Sequence, residues 1–205
     1  MVVSQGQSPS RRRSHIWRAK IDGSDLKQLT DGPGEGWPDC SPDGWWVVYV
    51  SFAAAGPQSL WKMPVEGGEP AQVTRLIPAL PTFSPDGKLL AVRRAGATGE
   101  QLKLCVLSFE DGRLEKEFDL RPTIVIGGDY KALRWTPDGG GLAYIDTRTG
   151  VQNIWVRPLD GGQERQITDF KTDQVFGFDW SRDGTRLAVA RGTITKDVIL
   201  FSGLE

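Results

Sequence analysis

Phe83-Ser84-Pro85-Asp86-Gly87-Lys88-Leu89-Leu90-Ala91-Val92 decides how this chain folds, because its centre recurs. The phrase stands again at Ser41-Pro42-Asp43-Gly44, at Thr136-Pro137-Asp138-Gly139 and, with arginine for proline, at Ser181-Arg182-Asp183-Gly184. The four starts lie 43, 52 and 45 residues apart. A near-constant period of this length marks an array of repeated supersecondary units. A bulky residue precedes each copy (Cys40, Phe83, Trp135, Trp180), and a short apolar run follows it, as in Trp46–Val50 and Leu142–Ile145. Proline presets φ at the first corner, aspartate bonds nearby backbone and glycine takes the positive φ, so each copy predicts a hairpin.

Working outward, Ile16–Gly23, Leu60–Gly67 and Ile154–Gly161 align without gaps, and each continues to a Thr: Leu29-Thr30, Val73-Thr74, Ile167-Thr168. They predict a second hairpin turning at Asp-Gly or Gly-Gly. The copy from Leu104 to Phe118 is degenerate and has lost its tryptophan. Each unit therefore reads as four antiparallel strands, a to d. The fold class is all-β, a β-propeller of four-stranded blades. Three complete blades are expected at about 37–75, 80–119 and 131–168, flanked by two partial ones.

The 25 glycines and 13 prolines suit a chain of many tight turns. A net charge of −1 gives no reason to expect nucleic acid or an anionic membrane as partner. Arg11-Arg12-Arg13 reads as a solvated loop. Cys40 and Cys105 fall where other copies hold large apolar residues, and read as buried free thiols. No apolar run approaches the roughly 18–20 residues of a membrane helix, so no membrane insertion is expected. Met1–Ser14 lacks the layout of a signal peptide.

The unit Ile-Trp-…-Asp-Gly-…-Leu-Thr-Asp, Ser-Pro-Asp-Gly, apolar strand resembles the TolB-type, WD40-like propeller repeat of bacteria, over about residues 16–203. That resemblance implies a single repeat domain, with 1–15 as the remnant of a strand plus a loop. Relatives serve as periplasmic partners of outer-membrane lipoproteins, as sensor or scaffold regions of serine/threonine kinases, and as gates of prolyl-oligopeptidase-type peptidases. The resemblance thus favours an extracytoplasmic setting and admits a covalently linked kinase or hydrolase domain. The stretch Thr193–Phe201 looks similar to the ending of the kinase-linked group.

Counting strands gives Val2-Val3 as the tail of a b strand, then c (Ile16–Ile21) and d (Leu26–Thr30). The last unit shows a (Phe176–Trp180), b (Arg186–Ala190) and c (Asp197–Phe201), without d. The expectation is an open arc, the C-terminal part of a larger ring whose missing d strand comes from an N-terminal segment.

Chemistry is sparse. There is no Gly-x-Ser-x-Gly elbow, P-loop or kinase motif. His15 is the single histidine and reads as a surface residue. No spacing suits a metal, and Asp43, Asp86, Asp138 and Asp183 read as turn residues rather than Ca²⁺ ligands. No cofactor or catalytic residue is expected. In propellers the d-to-a connections gather at one mouth of the channel. Here they are 31–36, 75–79, 120–129 and 170–174, the third being the longest. They and their flanks supply the candidate binding residues Asp31, Glu35, Trp37, Asp129, Tyr130, Asp173 and Phe176. The expected function is a non-enzymatic protein- or peptide-binding scaffold. The alternatives are an accessory propeller of a kinase or peptidase and, more weakly, carbohydrate binding through exposed tryptophan.

Overall fold

The computed structural model describes residues 2–5, 14–52, 57–74, 76, 78–94, 101–126 and 132–194. Arg11–Arg13, Asp129, Tyr130 and the expected strand Asp197–Phe201 lie outside them. The described residues form five antiparallel sheets and no helix. Unit 1 holds β1 (Val2–Gln5), β2 (His15–Arg18) and β3 (Lys27–Gln28). Unit 2 holds β4 (Glu35–Cys40), β5 (Trp46–Ser51), β6 (Ser59–Pro64) and β7 (Ala71–Thr74). Unit 3 holds β8 (Pro78–Phe83), β9 (Leu89–Arg94), β10 (Lys103–Ser108) and β11 (Leu114–Asp119). Unit 4 holds β12 (Ile124–Val125), β13 (Leu133–Trp135), β14 (Gly141–Asp146), β15 (Asn153–Pro158) and β16 (Arg165–Gln166), and unit 5 holds β17 (Gln174–Trp180) and β18 (Leu187–Gly192). Among the described residues the first and last sheets share no strand pairing, and the units form an open arc.

The repeated phrase closes by one geometry in all four copies. Ser41 Oγ donates to Asp43 Oδ1 at 2.5 Å, Trp45 N donates to the same oxygen at 3.0 Å, and Trp46 N donates to Ser41 Oγ at 2.9 Å. Ser84/Asp86, Thr136/Asp138 and Ser181/Asp183 repeat these bonds. The fourth residue takes φ between 69° and 78°, which glycine alone adopts without strain. These turns also stack from unit to unit. A Cβ on Gly87 would sit 3.4 Å from Pro42 Cδ, and one on Gly184 only 2.6 Å from Pro137 Cβ. The proline of one turn thus rests on the glycine of the next. Arg182 takes the proline position of the last described turn, which no further turn overlies among the described residues.

Every apolar core lies between units, not within one. In β5, Val48 and Val50 join Phe83, Leu90 and Val92 of unit 3, whereas Val47 and Tyr49 join Ile16 of unit 1. In β14, Leu142 and Tyr144 face unit 3, while Ala143 and Ile145 face Val175 and Phe178 of unit 5. A central strand with two buried faces must be apolar at every position. That is why these runs lack polar alternation. Cys105 belongs to the unit 2–3 core, and burial pushes its thiol up to about 11. Cys40 is only half-buried, contrary to its expected burial, because it ends β4 next to the exposed turn.

Three strand limits differ from the sequence expectation. β2 ends at Arg18 rather than Ile21, because Lys20 and Ser24 close the turn early through Lys20 N to Ser24 O at 2.8 Å. β3 is confined to Lys27–Gln28, because beyond the Leu29 N to Ile16 O bond at 2.8 Å the return bond is made by a side chain, Thr30 Oγ1 accepting Ile16 N at 2.9 Å. The inner strand of unit 4 begins at Ile124, not 131, and is split in two. In units 2 and 3 strand a bulges over two residues, 37–38 and 80–81, between partners on strand b. In unit 4, Val125 pairs with Ile145 and Leu133 with Tyr144, so residues 126–132 fall between these pairs. The extra length of the third connection therefore enters inside the innermost strand.

Candidate binding site at the strand a entrance

The start of strand a, the end of b, the start of c and the end of d meet at the end of each sheet opposite the repeated turns. In unit 1 the local device is the Thr30 bond to Ile16 N, and unit 4 repeats it with Thr168 Oγ1 accepting Ile154 N at 2.9 Å. Gln28 Nε2 and Gln166 Nε2 each donate to the carbonyl of that threonine, at 2.7 Å and 2.6 Å. What differs is the group the threonine hydroxyl then serves. Thr168 donates to Asn153 Oδ1 at 3.0 Å, which also accepts Phe170 N at 2.7 Å. Thr30 instead donates to Glu35 Oε2 at 2.9 Å, and the same oxygen lies 2.9 Å from His15 Nδ1.

Glu35 is thus a buried carboxylate, 2% exposed, held by units 1 and 2 together. Its backbone N also donates to Ser14 O at 2.7 Å. Burial, followed by the Glu35 charge, pushes the Tyr49 phenol up to about 12. His15 is half-buried and carboxylate-bound, not the surface residue its sequence position suggested. Nothing in its repeat position, held by Asn153 in unit 4, marks it in sequence. The departure at residue 35 was the available signal, since units 3, 4 and 5 place Pro78, Ile124 and Gln174 there.

The other sequence candidates fall at the same end. Asp31 is exposed in the loop before β4. Trp37 sits at the bulge with φ 52°, and packs edge-on against Phe52 at 5.1 Å between ring centroids, alongside the unit 2–3 core. Leu80 repeats that conformation with φ 55°. A bulky residue at positive φ is strained, and the bulge turns its side chain out of the strand's alternation into the gap between units. Phe176 occupies the bulge of β17, 3.1 Å from where a Cβ on Gly192 would lie. Asp173, φ 66°, accepts from Arg191 at 3.3 Å, and the Arg191 guanidinium lies 3.8 Å over Phe170. Asp173 also lines an open cleft of about 390 Å³ with Gly150, Gln152, Thr172, Gln174 and Ile194.

Sequence reasoning missed a charged knot between units 3 and 4. Glu164 accepts from Arg121 at 2.8 Å, Arg148 at 2.6 Å and Arg157 Nε at 2.7 Å. Arg148 also lies 2.5 Å from buried Asp146 and 4.0 Å over the Trp155 ring. No repeat marks these residues, so periodicity could not find them.

No family model matches the chain. It is 25% identical over 153 residues to the Tol-Pal system protein TolB of Francisella tularensis, covering 73% of this chain and 33% of that protein. It is 31% identical over 96 residues to dipeptidyl-peptidase 5 of Porphyromonas gingivalis, covering 45% of this chain and 13% of that protein. The crystal structure of TolB from Acinetobacter baumannii superposes with a TM-score of 0.70 at 22% identity, covering 88% of this chain and 44% of that one. The matched region is less than half the length of each of these proteins. In spacing, turn chemistry and cores shared between units, the chain has the β-propeller fold and resembles the TolB proteins.

Proposed function

We propose that this chain is a non-enzymatic module that binds a protein or peptide at the strand a entrance. Asp31, Glu35, Trp37, Asp129, Tyr130, Asp173 and Phe176 supply its contacts. One observation carries the reading. Units 2 and 3 bridge the bulge of the innermost strand with two residues, whereas unit 4 spends residues 126–132 there. The scaffold closes without that length, so it serves something other than folding, and loops of this kind on rigid scaffolds carry recognition. His15 fits a positioning role better than a catalytic one, since its Nδ1 is committed to Glu35. The protein-binding role also agrees with the likeness to TolB of the Tol-Pal system.

The test is capture of partners from the source bacterium on the immobilised chain, compared with Tyr130→Ala, with circular dichroism as the check on folding. A partner lost with Tyr130→Ala supports the reading. An unchanged set of captured proteins moves the site off this entrance. The likeness to dipeptidyl-peptidase 5 favours a second reading, an accessory propeller of a peptidase or kinase whose chemistry lies in another domain. A hydrolase or kinase domain encoded in frame with this chain supports it.

A further inference from the structure

Trp45 is 69% exposed, at the end of the arc opposite the strand a entrance. Its backbone is fixed twice, by Trp45 N to Asp43 Oδ1 at 3.0 Å and by Val65 N to Trp45 O at 2.9 Å. Lys88 and Gly140 accept the matching bonds from Phe109 N and Leu159 N, and Thr185 N donates to Asp183 as Trp45 N does to Asp43. Three other copies thus build the same turn with lysine, glycine or threonine, so the fold does not call for an aromatic ring here. Nor is Trp45 exposed for want of a neighbouring unit, since units 1 and 3 flank it on either side. A rigidly mounted, solvent-facing tryptophan has the character of a binding anchor.

The surrounding charges select the partner. Asp22, Asp43 and Glu69 are exposed on these turns, and Asp25 and Glu66 share Arg18, which is itself 13% exposed. Of the other nearby cations, Lys27 donates to the Glu66 carbonyl at 2.6 Å, Lys20 lies 4.0 Å from Asp25, Lys62 donates to the Phe109 and Glu110 carbonyls at 2.9 Å, and Lys88 is exposed on the next repeated turn. Hydrogen bonds from Ser41 and Ser24 hold Asp43 and Asp22 below the usual carboxylate range, so both stay charged in mild acid. An aromatic face beside carboxylates attracts ammonium and guanidinium groups.

We propose that the face of repeated turns around Trp45 binds a lysine- and arginine-rich segment of a partner protein, independently of the opposite entrance. The test is fluorescence anisotropy of a labelled peptide of alternating lysine and arginine against the whole chain. A glutamate-rich peptide and a neutral oligosaccharide serve as competitors. Trp45→Thr, which copies Thr185, is expected to weaken the cationic peptide roughly tenfold with an unchanged circular dichroism spectrum. Glu69→Gln is expected to weaken it less, and added salt to weaken it further. No binding by the parent, equal binding by Trp45→Thr, or displacement by the glutamate peptide or the oligosaccharide overturns the proposal. None of these outcomes bears on Tyr130→Ala.

Discussion

At the residue scale, the threonine closing each c–d hairpin shows how much a repeated letter conveys. Its recurrence in Leu29-Thr30 and Ile167-Thr168 was legible, but its work was not, because side-chain substitution for a ladder bond leaves no periodic trace. Thr168 Oγ1 accepts Ile154 N and donates to Asn153, in place of a backbone partner. Thr168→Val keeps the shape and removes both bonds. A buried N–H left without an acceptor costs about 1–3 kcal/mol. The expected result is a free energy of urea unfolding lowered by about that amount, with Thr168→Ser near the parent. An unchanged midpoint for Thr168→Val would show that water replaces the hydroxyl. The aspartates of the repeated phrase were read correctly as turn residues for the converse reason. Their bonds are local, spanning two residues, and local geometry is what sequence spacing encodes.

At the scale of elements, strand count and order were legible because two-sided burial forces unbroken apolar runs, whereas strand ends were not. Ile21 was assigned to a strand by alignment with the other repeats, yet the Lys20–Ser24 closure puts it in a turn. The join between units 3 and 4 was also invisible, since it depends on charges outside the repeat. Arg121 follows β11, while Arg148, Arg157 and Glu164 belong to unit 4, and the Arg157 guanidinium lies 5.1 Å over Phe118 of β11. Burial opposes the Glu164 charge, but hydrogen bonds from Arg148, Tyr144 and Arg157 outweigh it and hold the carboxyl down at about 2. The sign follows from that depression. The ionised form is favoured in the folded chain, so its contribution is complete above the ordinary value of 4.5 and is lost as the pH falls toward about 2. Urea unfolding of the parent should therefore weaken across that window. Glu164→Gln should start lower at neutral pH and change less over the same range. Parallel pH profiles for the two would remove Glu164 from the join.

At the scale of the whole molecule, the open arc was legible from strand counting, and one residue shows its physical consequence. Phe109 and Leu159 hold the same place in the c–d turns of units 3 and 4, and each rests on the unit before it. Phe109 packs edge-on against Trp46 of unit 2 at 5.9 Å between ring centroids, and Leu159 packs into the unit 3–4 core. Ile21 holds that place in unit 1 and is 96% exposed, with Leu26 beside it in the same turn 63% exposed. No described unit precedes them, so a face built for packing meets water. Burying one such side chain contributes about 1.5–3 kcal/mol, and surfaces of this kind drive association. The chain as it stands is therefore expected to self-associate as its concentration rises. Ile21→Lys should shift that association to roughly tenfold higher concentration, because it places a charge where a partner would bury an apolar group. Trp45→Thr, on a turn with neighbours on both sides, should leave association alone while acting on the cationic peptide. Sedimentation velocity over a concentration series separates the two. Association unaffected by Ile21→Lys would place the contact elsewhere, at the β18 edge or along the strand a entrance, rather than on the open face of unit 1.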